Sequence, residues 1–168
     1  HRLEANIKKL GDVASFLGVT VSEEFESLEV TGLSSSSNRV KNGELFIALP
    51  GEKHHGARFA QDAKDSGAIA ILTDSEGLDL ASKSLRNFPI LVVENPRSRI
   101  GYLADWFHNS PSRAIFLAGI TGTNGKTTTS YLLKQIWEFA GEKAGLIGTI
   151  GIEIGEERFG TSHTTPEA

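Results

Sequence analysis

The chain has 168 residues, enough for one ordinary domain or for a small domain plus part of another. Hydrophobic residues make up 39% and charged residues 23%, the balance of a soluble globular chain, and no apolar run approaches the roughly 20 residues of a membrane span. With 17 basic against 21 acidic residues and no cysteine, composition argues against a general nucleic-acid surface and excludes disulfides, thiolate metal sites and cysteine nucleophiles.

Residues 3–17 set Leu10, Val13, Ala14 and Leu17 at helical spacing, with Gly18 as the stop. Leu28 and Val30 alternate with polar neighbours, so Ser27–Thr31 reads as a short strand. Residues 32–38, Gly-Leu-Ser-Ser-Ser-Ser-Asn, form a Ser-rich turn. Such a turn is either a solvated loop or a set of hydroxyl and N–H groups for a polar ligand. Glu44–Leu49 is a buried strand candidate, ended by Pro50-Gly51. The adjacent His54 and His55 cannot both face one metal from a strand or helix, and no further ligands stand at zinc-like spacing.

Residues 57–67 are expected to be helical, with Phe59, Ala60 and Ala63 on one side and Gly67 as the stop. Ile69–Thr73 and Pro89–Val93 are two more strands, and strands alternating with helices predict an α/β layer. Pro96 suits a helix start, and Ile100, Leu103, Ala104 and Phe107 continue it as a core-facing stripe. His108–Ser112 breaks that helix and marks a domain boundary, giving domains 1–110 and 111–168.

An apolar run, Ala114–Ala118, is then expected to be a strand. It feeds Gly119–Thr129, Gly-Ile-Thr-Gly-Thr-Asn-Gly-Lys-Thr-Thr-Thr, and a helix follows over Thr127–Ala140. Leu133, Ile136, Trp137 and Ala140 are its expected buried face and Gly141 its stop. Residues 143–154 form a strand region broken by Gly145, Gly148 and Gly151. A strand, a glycine-rich turn and a helix together make a phosphate cradle, because inward N–H groups and the helix N-terminus favour an anion. Lys126 brings a cation to the β- and γ-phosphates of a nucleotide, and Thr127 offers a hydroxyl to Mg²⁺. The usual spacing G-x-x-x-x-G-K-[ST] would put the first glycine at Ile120, whereas here glycines stand at 119 and 122. The alternative is a tight glycine turn without a ligand, against which Lys126 and Thr127 directly after Gly125 weigh heavily. The chain lacks an initiator Met and a signal-peptide core, and too few strand–helix units follow Thr127 to cover a parallel sheet, so the natural protein is expected to continue.

Thr121-Gly122-Thr123-Asn124-Gly125-Lys126-Thr127-Thr128 resembles the ATP loop of the Mur ligases, the amino-acid-adding enzymes of bacterial peptidoglycan synthesis. Residues 40–49, with Gly51 and His55-Gly56-Ala57-Arg58-Phe59, resemble the first domain of members that act on UDP-linked muramyl peptides. Residues 163–168, His-Thr-Thr-Pro-Glu-Ala, are similar to a segment of the member that adds the third amino acid. The resemblance implies a small N-terminal α/β UDP-binding domain followed by the beginning of a P-loop parallel-sheet ATPase domain. It implies an ATP-dependent ligase that joins meso-diaminopimelate or L-lysine to UDP-N-acetylmuramoyl-L-alanyl-D-glutamate through an acyl phosphate.

Carried over by position, the resemblance implies ATP contacts at Gly122, Thr123, Asn124, Gly125, Lys126, Thr127 and Thr128, with Lys126 catalytic and Thr127 a Mg²⁺ ligand. It implies UDP-sugar contacts at Ser35, Ser37, Glu52, Lys53 and His54, and substrate contacts at His163, Thr164 and Thr165. Ser36-Ser37-Asn38 stands where the family usually has Asp-Ser-Arg, with an arginine displaced to Arg39. The implied partners are the UDP-muramyl dipeptide and a diamino acid, with no nucleic acid or membrane, in a cytoplasmic monomer. The family's second acidic metal ligand, carbamylated lysine and amino-acid pocket are not among these residues, so the chain by itself is expected to be inactive. Two rival readings are a folylpolyglutamate synthetase of the same superfamily and a P-loop nucleotide-binding module without amide chemistry.

Overall fold

A computed structural model describes residues 6–155 and 157–159. The chain divides into two compact units between Ala114 and Ile115.

The first unit opens with β1 (Lys8–Lys9), α1 (Leu10–Leu17), α2 (Glu23–Glu26) and β2 (Glu29–Val30), β1 pairing antiparallel with β2. Four parallel strands follow, in the spatial order β3 (Gly32–Ser34), β4 (Glu44–Ile47), β5 (Ala70–Thr73) and β6 (Ile90–Val92). Register runs Leu33–Leu45, Leu45–Ala70 and Ile71–Ile90. The β4–β5 crossover carries a 3₁₀ turn (Gly56–Phe59) and α3 (Ala60–Asp65), and the β5–β6 crossover carries α4 (Ser75–Ala81). The unit closes with α5 (Pro96–Phe107).

A strand buried on both faces must lie between two covering layers, and the residues of β4 and its extension show how. Leu45, Ile47 and Leu49 join Ala70, Leu72 and Leu91 in a core closed by α1 and α5, through Leu10, Val13, Leu17, Ile100, Leu103 and Phe107. Phe46 and Ala48 join Ile71 in a second core closed by Ala57 and by Ala60, Ala63 and Ala81 of α3 and α4. The short alanine side chains let α3 and α4 approach the sheet closely, whereas the other face is filled by long aliphatic and aromatic groups. α1 ends as its sequence predicts, with Gly18 at φ 73° donating its N–H to the Ser15 carbonyl.

Three local expectations change. The helix does not reach back to residue 6, because Lys9 is extended (φ −74°, ψ 145°) and pairs with Glu29. Phe59 is exposed and Ala57 is buried instead, since the 3₁₀ winding of residues 56–59 is out of phase with the helix after it. α2 and α4 are additional; α4 is signalled only by its cap, Asp74, whose Oδ1 accepts the Gly77 N–H at 2.8 Å. Asn95 caps α5 in the same way, accepting the Ser98 N–H at 3.3 Å ahead of Pro96. Asn95→Ala should therefore cost about 1 kcal/mol in a urea titration; an unchanged midpoint would remove the cap from the account.

The second unit has one long helix, α6 (Lys126–Phe139), and an antiparallel sheet of β7 (Gly145–Gly148), β8 (Gly151–Ile154) and β9 (Glu157–Phe159). The parallel sheet of this chain thus lies in the first unit, and the described strands of the second are antiparallel. Ala114–Ala118 does not form the expected strand. It pairs with none of β7–β9, and a strand without a neighbour leaves its backbone groups unbonded. Ile115, Phe116 and Leu117 are exposed, although Phe116 meets Trp137 edge-on at 5.7 Å.

The expected buried face of α6 also differs: Ile136 and Ala140 are exposed, Leu133 and Trp137 half-buried, and Lys134 buried. A polar network explains this. Glu153 on β8 is buried and its Oε1 accepts from the Tyr131 hydroxyl at 2.7 Å and pairs with Arg158 Nε at 2.9 Å. Lys134 Nζ lies 2.7 Å from Glu138 Oε1 and 3.9 Å from Glu153 Oε2. The Glu153 carboxylate holds the Tyr131 phenol above its usual pKa by accepting its proton in a hydrogen bond.

Candidate functional site

The chemistry-bearing residues fall into two groups, one in each unit. In the second unit the glycine-rich loop runs into α6. Gly125 sits at φ 77°, a left-handed conformation that favours glycine, and turns the chain directly into the first helical residue, Lys126. α6 has no side-chain cap. Its first-turn N–H groups therefore point at the loop without a side-chain acceptor, the arrangement that receives an anion.

Lys126 is exposed, and its ammonium folds back over the loop to donate to the Gly122 carbonyl at 2.5 Å and the Thr123 carbonyl at 3.5 Å. An ammonium has three donors, so one remains for a ligand beside the helix N-terminus. The structure thus brings Gly122, Thr123, Gly125 and Lys126 together, with Thr127 and Thr128 in the first turn of α6 and Asn124 within the loop. Among the described residues no group of three or more His, Asp or Glu side chains could hold a metal alone. A cation here would need the Thr127 hydroxyl together with ligand oxygens, which suits Mg²⁺.

In the first unit, two exposed segments emerge at the carboxyl edge of the parallel sheet. One follows β3 and contains Ser35, which is exposed, and Ser37, which is half-buried and opens a 3₁₀ turn at Ser37–Arg39. The other follows β4 and contains exposed Glu52, Lys53 and His54. β3 and β4 are neighbours and parallel, so both segments emerge on one edge of the sheet, the edge where open α/β sheets take ligands. His54 Nδ1 accepts from Arg58 Nη1 at 3.3 Å. A shallow cleft lined by Pro50, Asp74, Glu94, Asn95, Pro96 and Arg97 continues the same edge past β5 and β6. His163, Thr164 and Thr165 lie outside the described residues.

Sequence reasoning gave Asp74 no role, and it took His55 only as half of an improbable metal pair and as the start of the His55–Phe59 segment, not as a partner of Asp74. His55 Nε2 lies 3.0 Å from Asp74 Oδ1, and Nδ1 accepts the Ala57 N–H at 3.0 Å. The sequence signal that could have found Asp74 is a capping residue type ahead of residues 75–81; for His55 the motif marks the stretch but not the pairing, which depends on its being buried while His54 beside it is exposed.

Residues 29–107 match the family described as "Mur ligase family, catalytic domain", and residues 120–168 match "Mur ligase middle domain". The chain belongs to the Mur ligase family. It is 43% identical over 159 residues to a UDP-N-acetylmuramoyl-L-alanyl-D-glutamate--2,6-diaminopimelate ligase of Streptomyces avermitilis, covering 95% of this chain and 30% of that one. A UDP-N-acetylmuramyl-tripeptide synthetase of Leifsonia xyli is 40% identical over 161 residues, covering 96% of this chain and 31% of that one. A solved structure of a UDP-N-acetylmuramoyl-L-alanyl-D-glutamate--2,6-diaminopimelate ligase matches with a TM-score of 0.68 and 25% identity, over 95% of this chain and 31% of that one. A second Mur ligase structure, from Acinetobacter baumannii, matches at a TM-score of 0.59 and 17% identity, covering 83% of this chain and 30% of that one, a likeness of fold alone. The chain thus spans about 30% of the length of the Mur ligases it matches. Among the described residues no helix is long and apolar enough to cross a membrane.

Proposed function

We propose that residues 1–110 grip the UDP end of UDP-N-acetylmuramoyl-L-alanyl-D-glutamate and that residues 111–168 open the ATP-binding domain of a ligase that adds the third amino acid. What carries this reading is the match to diaminopimelate ligases at 38–43% identity over nearly the whole chain, combined with an uncapped helix N-terminus beside Lys126. The relatives' names support 2,6-diaminopimelate as the diamino acid.

The reaction in this reading is amide formation in two steps. A carboxylate oxygen of the dipeptide takes the γ-phosphoryl group of ATP, releasing ADP and leaving an acyl phosphate. The diamino acid's amine then attacks the acyl carbon, and phosphate departs with the bonding pair. The obstacle is electrostatic, since an anionic carboxylate must approach an anionic triphosphate. Lys126 and the N–H groups of Gly122–Thr128 offset that repulsion and stabilise charge spreading over the moving phosphoryl group. Mg²⁺, held at the Thr127 hydroxyl, would supply further charge neutralisation. Ser35, Ser37, Glu52, Lys53 and His54 hold the UDP-sugar, and His163, Thr164 and Thr165 are further substrate-binding residues. UDP-sugars and ATP are cytoplasmic substrates, which supports a cytoplasmic setting.

The test is calorimetric titration of the chain with UDP-N-acetylmuramoyl-L-alanyl-D-glutamate. Saturable heat, with a matching thermal shift, is expected. A folded sample showing neither would sink the assignment of the first unit.

A further inference from the structure

We propose that His55 is a positioning residue for the UDP-sugar site, acting through its bridge to Asp74 and not by touching the ligand. The inference rests on the reading of Glu52–His54 as part of that site.

The segment after β4 leaves the sheet at Leu49 and returns at Gly56, whose N–H donates to the Leu49 carbonyl at 2.8 Å and closes the neck of the loop. Between these points residues 50–54 are exposed, and none of them belongs to either hydrophobic core. Side chains tie the loop down at both ends, besides the 3.3 Å bond from Arg58 Nη1 to His54 Nδ1. Arg97 Nη2 donates to the Pro50 carbonyl at 3.0 Å at the entering end. His55 does so at the leaving end, and it is buried, only 8% exposed.

Both ring nitrogens of His55 are in use. Nδ1 accepts the Ala57 N–H at 3.0 Å, so in the neutral ring the proton is on Nε2, which donates to Asp74 Oδ1 at 3.0 Å. The same carboxylate oxygen accepts the Gly77 N–H at 2.8 Å and so is fixed by α4. α4 is held against the ring: a Cβ on Gly77 would stand 2.6 Å from His55 Cε1. The ring therefore links the loop after β4 to the loop after β5, adjacent strands at the edge where the UDP-sugar is proposed to bind. Its two bonds do separate jobs. The Ala57 bond caps a local 3₁₀ turn, and the Asp74 bond spans two elements 19 residues apart.

That separation permits a discriminating experiment, with dissociation constants for UDP-N-acetylmuramoyl-L-alanyl-D-glutamate measured by calorimetry on the 168-residue chain. His55→Asn keeps an acceptor for the Ala57 N–H but cannot reach Asp74. His55→Gln carries an amide donor long enough to reach Asp74 but gives up the local cap. Asp74→Ser breaks the bridge from its other side while still capping α4. We expect His55→Asn and Asp74→Ser to weaken binding about tenfold, the scale of one lost hydrogen bond, and His55→Gln to stay within about threefold of the parent. Nitrogen NMR of the parent ring should show Nε2 protonated and Nδ1 bare. Parent-like affinity in both bridge-breaking variants overturns the inference, as does equal loss in His55→Asn and His55→Gln. An Nδ1-protonated ring does the same. Failure of the folded parent chain itself to bind overturns instead the underlying assignment of the site, and the two failures are distinct.

Discussion

Lys126→Ala in the full-length ligase is expected to lower kcat by about a hundredfold to a thousandfold, the range seen when one preorganised charge-stabilising group is removed. The size follows from position. Lys126 Nζ is held by the Gly122 and Thr123 carbonyls of the glycine-rich loop, so under the proposed function its charge is already oriented before a nucleotide binds. Preorganised charge acts on the transition state without reorganisation at the moment of transfer. The side chain is exposed, so truncation opens no cavity and the melting temperature should barely move. Coupled ADP release and circular dichroism on the same sample separate the two effects. Near-normal turnover in a folded variant would falsify the role of Lys126. Lys126→Arg should not rescue fully, because a planar guanidinium cannot place its donors on the two carbonyls as a compact ammonium does.

A second large effect is expected at Gly77→Ala, on stability. Two terms oppose each other. Alanine in a helix gains up to about 1 kcal/mol over glycine. Against this, the new Cβ would meet Thr73 Oγ1 at a distance no real contact tolerates, and would stand 2.6 Å from His55 Cε1 and 2.9 Å from Thr73 Cβ. Neither neighbour can give way cheaply. Thr73 is fully buried, β-branched, and donates its hydroxyl to the Ala48 carbonyl at 3.0 Å; His55 is bonded at both nitrogens. Overpacking of a rigid site costs about 1–3 kcal/mol and more where nothing can shift, so the clash wins and a net loss of about 2 kcal/mol or more is expected. Gly101→Ala is the control: it sits in α5 with nothing within 4 Å of the added carbon, and should stabilise by about 0.5–1 kcal/mol. Urea midpoints of the two variants should move in opposite directions; a rise for Gly77→Ala would refute the packing described around His55.

Much of the fold was legible because it is written locally. Leu10, Val13, Ala14 and Leu17 recur at helical spacing and are all buried. Residues 45–49 carry no polar group, which marked Glu44–Leu49 as a buried strand; its place between β3 and β5, covered on both faces, came from the structure. Gly125 and Lys126 were legible for the same reason, since a glycine turn and the first residue of a helix are set by the backbone conformation of a few neighbours.

What the sequence alone determined is thus the set of faces: which residues share a side of a helix or strand, where the chain turns, and where a glycine-rich loop runs into a helix. Only the tertiary structure decided which faces are covered. Periodicity cannot say what lies opposite a stripe, so Ile136 and Lys134 exchange their expected places once Glu153 on β8 supplies a charged partner. Adjacent His54 and His55 look alike in sequence, yet one is exposed and the other is locked to Asp74, because burial and pairing across 19 residues depend on strands brought together by the whole sheet. Ala114–Ala118 has the composition of a strand but forms none, since a strand is completed by its neighbours' hydrogen bonds and no local preference can provide them.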